Sequence, residues 1–239
     1  IANFPTLPKE DAGLLVYERA GEKISHLKFG DLPEILPPCD IIFNDTKVVK
    51  ARIFGKKQSG GETELLLNSP LADGKFSVYI KGKVRAGSVL NFDENLTAEV
   101  CELFGDGSRT VKFSQSGRLL DAAALYKILS HIGHVPLPPY IKRSDTKDDE
   151  SWYQSVFAKN EGAVAAPTAS LHFSDEMIAG LAKDREIAYL TLHVGAGTFK
   201  GVESEDITRH KMHAEFYDIP QDTQNLIASN RPILGVGTT

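Results

Sequence analysis

Between residues 49 and 115 the chain runs through "ARIFGKK", "ETELLLN", "KFSVYIKG", "SVLNF", "TAEVCELF" and "RTVKFS", short alternating segments separated by turn residues. Two-residue alternation puts one side of each strand in a core and the other in water. A series of such strands with no helical stretch closes into a small antiparallel barrel or sandwich. The flanking sequence has a different texture, so the expected fold class is α/β: a larger α/β domain over 1–48 and 116–239, with a small antiparallel β-barrel inserted over 49–115.

Upstream, "LLVYERAGEKISHLKF" reads as a hairpin turning at Ala20-Gly21, "FGDLPEIL" as a short helix, and "CDIIFNDTKVV" as an apolar strand ending in Asn44-Asp45-Thr46. Downstream, "GRLLDAAALYKILSHIG" has helical periodicity and a glycine stop. The prolines of "HVPLPPYIKR" require extended backbone, and the charged "RSDTKDDESW" reads as an exposed loop. Ser174 is placed to cap a helix over 175–185. A strand "IAYLTLHV", a strand "AEFYDI", a helix near "QDTQNLIAS" and a strand "PILGVG" follow, the alternation of an α/β domain.

The chain has 239 residues, of which 41% are hydrophobic, and no apolar run of the roughly 18 residues a membrane span needs. With no signal-peptide pattern, the expectation is a cytoplasmic protein without a membrane partner. Cys39 and Cys101 form no C-x-x-C pair and read as buried, reduced thiols. The net charge is −5, yet residues 47–85 hold nine Lys or Arg against three Asp or Glu. A basic island on an acidic body suits capture of a polyanion, or simply solubilises an exposed sheet.

Three motifs invite chemistry. Gly195-Ala196-Gly197 follows a strand, but Lys200 stands where a third dinucleotide-binding glycine belongs and no Walker pattern is present. What remains is His193 and a glycine turn at a strand's carboxyl end, where open α/β sheets place ligands, or a plain tight turn. His210-x-x-His213-x-Glu215 has the look of a metal cluster. Strand periodicity leaves only His213, Glu215 and Tyr217 on one face, an acid-base pair rather than a metal site. "GAVAAPTASLHF" is rich in small residues that let backbone approach a ligand, and its His172 is equally consistent with a core histidine.

Taken in order, "FNDTKVVKARIFGKK", "PLPPYIKR", "WYQSVFAKNEGAVAAPTASLHF", "LTLHVGAGTFKGV" and "HKMHAEFYDIP" resemble the S-adenosylmethionine:tRNA ribosyltransferase-isomerases of queuosine biosynthesis over nearly the whole chain. The resemblance implies a two-domain enzyme that moves the ribosyl group of S-adenosylmethionine onto an aminomethyl-deazaguanine in a tRNA anticodon. The products are epoxyqueuosine, adenine and methionine. The nucleoside is consumed as a substrate, so no cofactor and no metal are implied; the partners are S-adenosylmethionine and the precursor-bearing tRNA. Two positions depart from the family: Ser170 replaces its glycine, and Gly13 stands where it has an arginine. Family members also extend before Ile1 and well beyond Thr239, which implies that part of the active site lies outside this sequence.

Within the resembling motifs His172, His193, His213 and Glu215 are the candidate acid-base groups, with acid and base unassigned. Asn44, Asp45 and Thr46 are candidates for sugar hydroxyls or the methionyl group. Tyr153, Gln154, Pro167, Thr168, Gly195, Gly197 and Thr198 are further substrate-binding candidates. Phe173 and Phe199 are expected to stack on adenine or lie against the sulfonium. Lys50, Arg52 and Lys56 are the expected RNA phosphate contacts. A non-catalytic RNA-binding protein and a small-molecule nucleoside hydrolase are the alternatives. The His, Gly and aromatic residues at strand ends oppose the first, and the basic island opposes the second.

Overall fold

A computed structural model describes residues 3–199, 201, 205–209 and 214–237. The N-terminal hairpin pairs β1 (Gly13–Glu18) with β2 (Lys23–Lys28), Leu14 opposite Leu27, and is followed by a single helical turn α1 (Leu32–Ile35). β3 (Asp40–Asn44) is buried along its whole length and continues after Asp45 into β4 (Thr46–Val48).

The next six strands are β5 (Arg52–Lys57), β6 (Glu62–Pro70), β7 (Lys75–Lys81), β8 (Val89–Asn91), β9 (Leu96–Leu103) and β10 (Ser108–Gln115). Their antiparallel order is β10-β7-β6-β5-β8-β9, and β9 pairs back onto β10, so the sheet closes into a barrel with no free edge. The alternation read from sequence is the barrel's inside and outside: Ile53, Leu65, Leu67, Phe76, Val78, Val100, Val111 and Phe113 are all at most 1% exposed. A two-residue strand β11 (Arg118–Leu119) pairs antiparallel with the end of β10.

Packing of the barrel continues past residue 115. Helix α2 (Ala122–Ile132), capped by the Asp121 side chain on the Ala124 amide (2.8 Å), contributes Leu125, Ile128 and Leu129 to the barrel's apolar cluster. Val164 and Ala196, from the other part of the chain, join the same cluster.

The "RSDTKDDESW" stretch departs from the exposed loop expected of it. It carries a helical turn α3 (Asp149–Trp152), and Asp149, 2% exposed, accepts a two-pronged hydrogen bond from Arg143 (2.6 and 2.7 Å). The Thr146 amide and hydroxyl complete its shell at 2.7 and 3.1 Å. Charge density alone reads as solvated; a paired and fully hydrogen-bonded carboxylate can be buried.

β12 (Asn160–Ala163) runs parallel to β4. α4 (Asp175–Leu181) starts at the expected Ser174 cap and ends four residues earlier than the sequence suggested. β13 (Ile187–His193), β14 (Phe216–Asp218), α5 (Gln221–Ala228) and β15 (Ile233–Gly235) complete the chain. The second sheet has the order β14-β13-β3-β15, with β13 and β15 parallel to β3 and β14 antiparallel at the edge. Parallel pairing of β3 with β13 brings their carboxyl ends together, which is where the candidate residues lie. Cys39 and Cys101 are free thiols, both part-exposed rather than buried. Among the described residues no helix is long and apolar enough to cross a membrane.

Candidate active site at the joined strand ends

β3 and β13 are stitched at their carboxyl ends by one side chain. The Asn44 amide donates to the Leu192 carbonyl (2.9 Å), while its oxygen accepts from the Leu192 and Thr46 amides (3.0 and 3.1 Å). At 1% exposure and with three of its four hydrogen-bonding positions committed, Asn44 is a strand clamp. That corrects its expected part in holding sugar hydroxyls. Asp45 is likewise engaged, accepting from the Thr191 hydroxyl (2.6 Å) and from the Asn160 amide (3.1 Å).

Thr46 is the link to chemistry. Its hydroxyl lies 2.7 Å from His193 Nδ1, which leaves Nε2 as the nitrogen able to exchange a proton. Burial pushes the His193 pKa below its ordinary value of 6.5, with the Asp45 charge opposing more weakly, so the imidazole is neutral near neutral pH and competent as a base. Cross-strand pairing sets Phe216 opposite His193, their rings stacked with centroids 5.5 Å apart.

Two bulges shape this corner. In the β4–β12 pair the register skips Gly162, and a Cβ built there would come 2.6 Å from the His193 ring, so only glycine gives the imidazole this position. In the β6–β7 pair Leu67 faces Val78 and Ser69 faces Ser77, leaving Asn68 as the extra residue. Its side-chain oxygen accepts from the Ala196 amide at 2.9 Å, and Glu215 accepts from the Gly195 amide at 2.8 Å. The glycine turn expected to make room for a nucleoside is therefore filled by Asn68 and Glu215. Ala196 is buried in the barrel cluster and Phe199 packs against it, so Phe199 has a structural neighbour where an adenine was expected. Gly197 is part-exposed and Thr198 exposed, both in the same 3-10 turn, Ala196–Phe199.

The structure thus unites His193, Glu215, Thr46 and Gly195. Of the expected polar strand face, Tyr217 lies in β14 (Phe216–Asp218) and Glu215 immediately precedes it, while His213 lies outside the described residues. His172 is exposed on one side and packs on Phe29 (centroids 5.1 Å apart); partial burial, then the nearby Lys9 charge, lower its pKa. Phe173, 1% exposed, meets Phe29 and Phe43 edge-on at 4.9 Å each and is a core residue, which corrects its expected stacking role. Gln154 clamps Val48 by accepting from its amide (3.0 Å) and donating to its carbonyl (2.7 Å), two residues along β4 from Thr46.

A second pocket, about 180 Å³, collects the proline motif and the small-residue motif. Pro138, Tyr140, Tyr153, Thr168 and Leu171 line it, with Phe4 at its side and the Arg143 guanidinium 4.5 Å over the Phe4 ring. Burial pushes the Tyr153 hydroxyl strongly up, opposed by a hydrogen bond from the Ala166 backbone, so the phenol stays protonated. Pro167 precedes the 3-10 turn Thr168–His172, in which Ser170 is fully buried and, among the described residues, has no partner for its hydroxyl.

Of the expected RNA contacts, Lys50 is paired with Glu150 (2.7 Å) and Arg52 with Glu64 (3.3 Å), while Lys56 is exposed and has no ion-pair partner among the described residues. Sequence reasoning missed His134, whose Nδ1 lies 3.0 Å from Asp145, a His-carboxylate pair at the point where Arg52 bridges to His134. The spacing of eleven residues across proline-rich coil carries no periodic signal. Among the described residues no group of three or more His, Cys, Asp or Glu side chains is arranged for a metal ion.

Comparison with known proteins gives a consistent set. A sequence model described as queuosine biosynthesis protein matches residues 1–239. Proteins named S-adenosylmethionine:tRNA ribosyltransferase-isomerase from Campylobacter fetus, Campylobacter concisus and Nitratiruptor sp. are 62%, 61% and 52% identical over 239, 240 and 240 residues. Each match covers 100% of this chain but 70–71% of the relative. The crystal structure of S-adenosylmethionine tRNA ribosyltransferase from Thermotoga maritima matches at 24% identity and a TM-score of 0.37, over 98% of this chain and 64% of that one.

Proposed function

The chain belongs to the queuosine biosynthesis protein family, and we propose that it transfers and isomerises the ribosyl moiety of S-adenosylmethionine onto the aminomethyl-deazaguanine base of tRNA anticodons. The products on this reading are epoxyqueuosine-tRNA, adenine and methionine. The family match over the whole chain carries the reading, and the neutral, anchored His193 supports it chemically.

A sulfonium acidifies the adjacent ribose C–H, so a positioned base forms an ylide there. The ylide expels the ring oxygen from the neighbouring carbon to give a vinyl sulfonium, and collapse of the far end of the opened sugar to an aldehyde releases adenine, which takes up a proton. The amine of the deazaguanine adds to the vinyl sulfonium and loses a proton, the ylide so regenerated attacks the aldehyde to close the carbocycle, and the resulting alkoxide displaces neutral methionine to form the epoxide. His193 suits the first step because its burial keeps it unprotonated and the Thr46 contact occupies Nδ1, leaving Nε2 for proton exchange. Glu215, held on the Gly195 amide, is the neighbouring carboxylate available for proton return. S-adenosylmethionine is consumed, so the scheme needs neither cofactor nor metal, and the tRNA is the macromolecular partner.

The test is to incubate the full-length protein with S-adenosylmethionine and precursor-bearing tRNA and follow adenine and the nucleoside mass. Adenine release that depends on the tRNA is expected. Release that is equal without tRNA indicates a nucleoside hydrolase, and tRNA binding without release a non-catalytic binder.

A further inference from the structure

The barrel has two unlike ends. One carries the Asp93–Asn95 turn and is packed by α2. The other is ringed by the loops at 58–61, 82–88 and 104–107 and opens into a groove of about 520 Å³. Among the described residues three cations line that groove, Lys57, Lys83 and Arg85, and no carboxylate does.

Of the six other Lys and Arg between residues 47 and 85, Lys56 has no carboxylate partner among the described residues, Lys81 lies 3.8 Å from Glu64, and the remaining four are paired. Lys47 pairs with Glu161 (3.0 Å), Lys50 with Glu150 (2.7 Å), Arg52 with Glu64 (3.3 Å) and Lys75 with Glu102 (3.1 Å). Lys57 instead donates to a neutral acceptor, the Lys83 carbonyl, at 2.9 Å, which holds its ammonium at the mouth with its charge uncompensated. Lys83 and Arg85 are exposed. The hairpin opposite them is Gln58-Ser59-Gly60-Gly61, and added Cβ atoms at its two glycines would meet nothing within 4 Å, so a bulky polymer backbone can come close. On a chain of net charge −5 such a feature attracts an anion against the overall field.

We propose that this barrel mouth, Lys57, Lys83 and Arg85, is a docking surface for the phosphodiester backbone of the tRNA; the proposal rests on the function proposed above. The groove and the His193 corner are tied through one strand. β6 begins beside Lys56, where Glu62 pairs, and reaches the Ala196 amide through Asn68. Six residues at ~3.3 Å each put about 20 Å between them. A contact at this distance orients the RNA without reading its bases.

The experiment uses the full-length enzyme and precursor-bearing tRNA, with dissociation constants measured across a salt series. Each lost phosphate contact lowers the slope of log affinity against log salt by about 0.7 to 0.9. The Lys83→Gln/Arg85→Gln double variant is therefore expected to lose roughly 1.5 in slope and on the order of tenfold or more in affinity near 0.1 M salt. The turnover rate at saturating tRNA should stay at the wild-type value. Both side chains are exposed, so a matching melting temperature checks the fold, and the Lys83→Glu/Arg85→Glu variant should deepen the loss. Lys75→Gln, which removes an already paired cation, should change the slope little. Wild-type affinity and slope in the double variant would overturn the docking surface, as would lost turnover with tRNA affinity intact. Absence of salt-dependent tRNA binding in the wild type would instead bring down the functional reading itself.

Discussion

Thr46 Oγ1 and His193 Nδ1 lie 2.7 Å apart, one on β4 and the other on the last residue of β13. On this geometry Thr46 is a positioning residue whose hydroxyl engages Nδ1 and holds the imidazole's rotation. Thr46→Val should lower kcat about tenfold or more and shift the apparent pKa of the pH profile, whereas Thr46→Ser should restore both. A Val variant with the wild-type pH profile would leave the contact structural only.

His193 itself should behave as a base with a depressed pKa. Burial lowers it from 6.5, so turnover should rise with pH through a value below 6.5 and then level off. The sign for stability agrees: the folded state resists protonation, so this group's contribution is present above the unfolded value and is lost as pH falls through the folded one. His193→Ala should cut turnover by about a hundredfold or more while tRNA affinity changes little. Isothermal binding titrations beside initial rates separate the two.

Gly162→Ala places a methyl 2.6 Å from the His193 ring. Either the ring or the β12 backbone must move, because the rest of the ring is held by Thr46 and Phe216. The expected result is a loss of kcat comparable with that of Thr46→Val, accompanied by about 1–3 kcal/mol of destabilisation from overpacking. Thermal melts and rates on the same preparation read both; unchanged rates would mean the ring is not tightly held.

Asp149 is the electrostatic linchpin of the proline-rich stretch. Its hydrogen bond from Arg143 holds the carboxyl below its ordinary range, against the opposing effect of burial. The stabilisation is therefore complete above the unfolded value near pH 4 and is lost as pH falls through the folded value. Asp149→Asn leaves Arg143 without its anion and should cost ~3–5 kcal/mol in denaturant unfolding near neutral pH. The difference from wild type should shrink in acid, and a pH-independent difference would contradict the linkage.

Ser170 is fully buried, and among the described residues its hydroxyl has no partner. Burying a hydroxyl without a hydrogen bond costs on the order of 1–3 kcal/mol, so Ser170→Ala should be neutral or stabilising by up to about 1 kcal/mol. An increase in melting temperature checks it. A clear drop would mean that the hydroxyl has a partner in solution.

The barrel strands were legible because alternation is a local property: Leu65 and Leu67 face the core and Leu66 only partly does, as period two requires. The Ser174 cap and the strand bearing His193 were legible for the same reason. The bulges were not, since whether Asn68 or Gly162 is skipped depends on the register of a partner strand. Asn44 and Phe173 were misplaced because residue type suggests chemistry while burial is decided by tertiary packing. Asp149 looked like solvated charge until Arg143, six residues away, was seen to fold back on it.

The Asn68 hydrogen bond to Ala196 makes the barrel more than a removable cartridge. A shortened chain that joined residue 48 directly to 116 would keep every strand of the second sheet, yet strip the turn after His193 of its amide acceptor and of the apolar floor beneath Ala196 and Phe199. Grafting this barrel onto another protein, or exchanging it for a relative's, would have to carry that one bulged asparagine in register, or the receiving half would arrive with its reactive corner unbuilt.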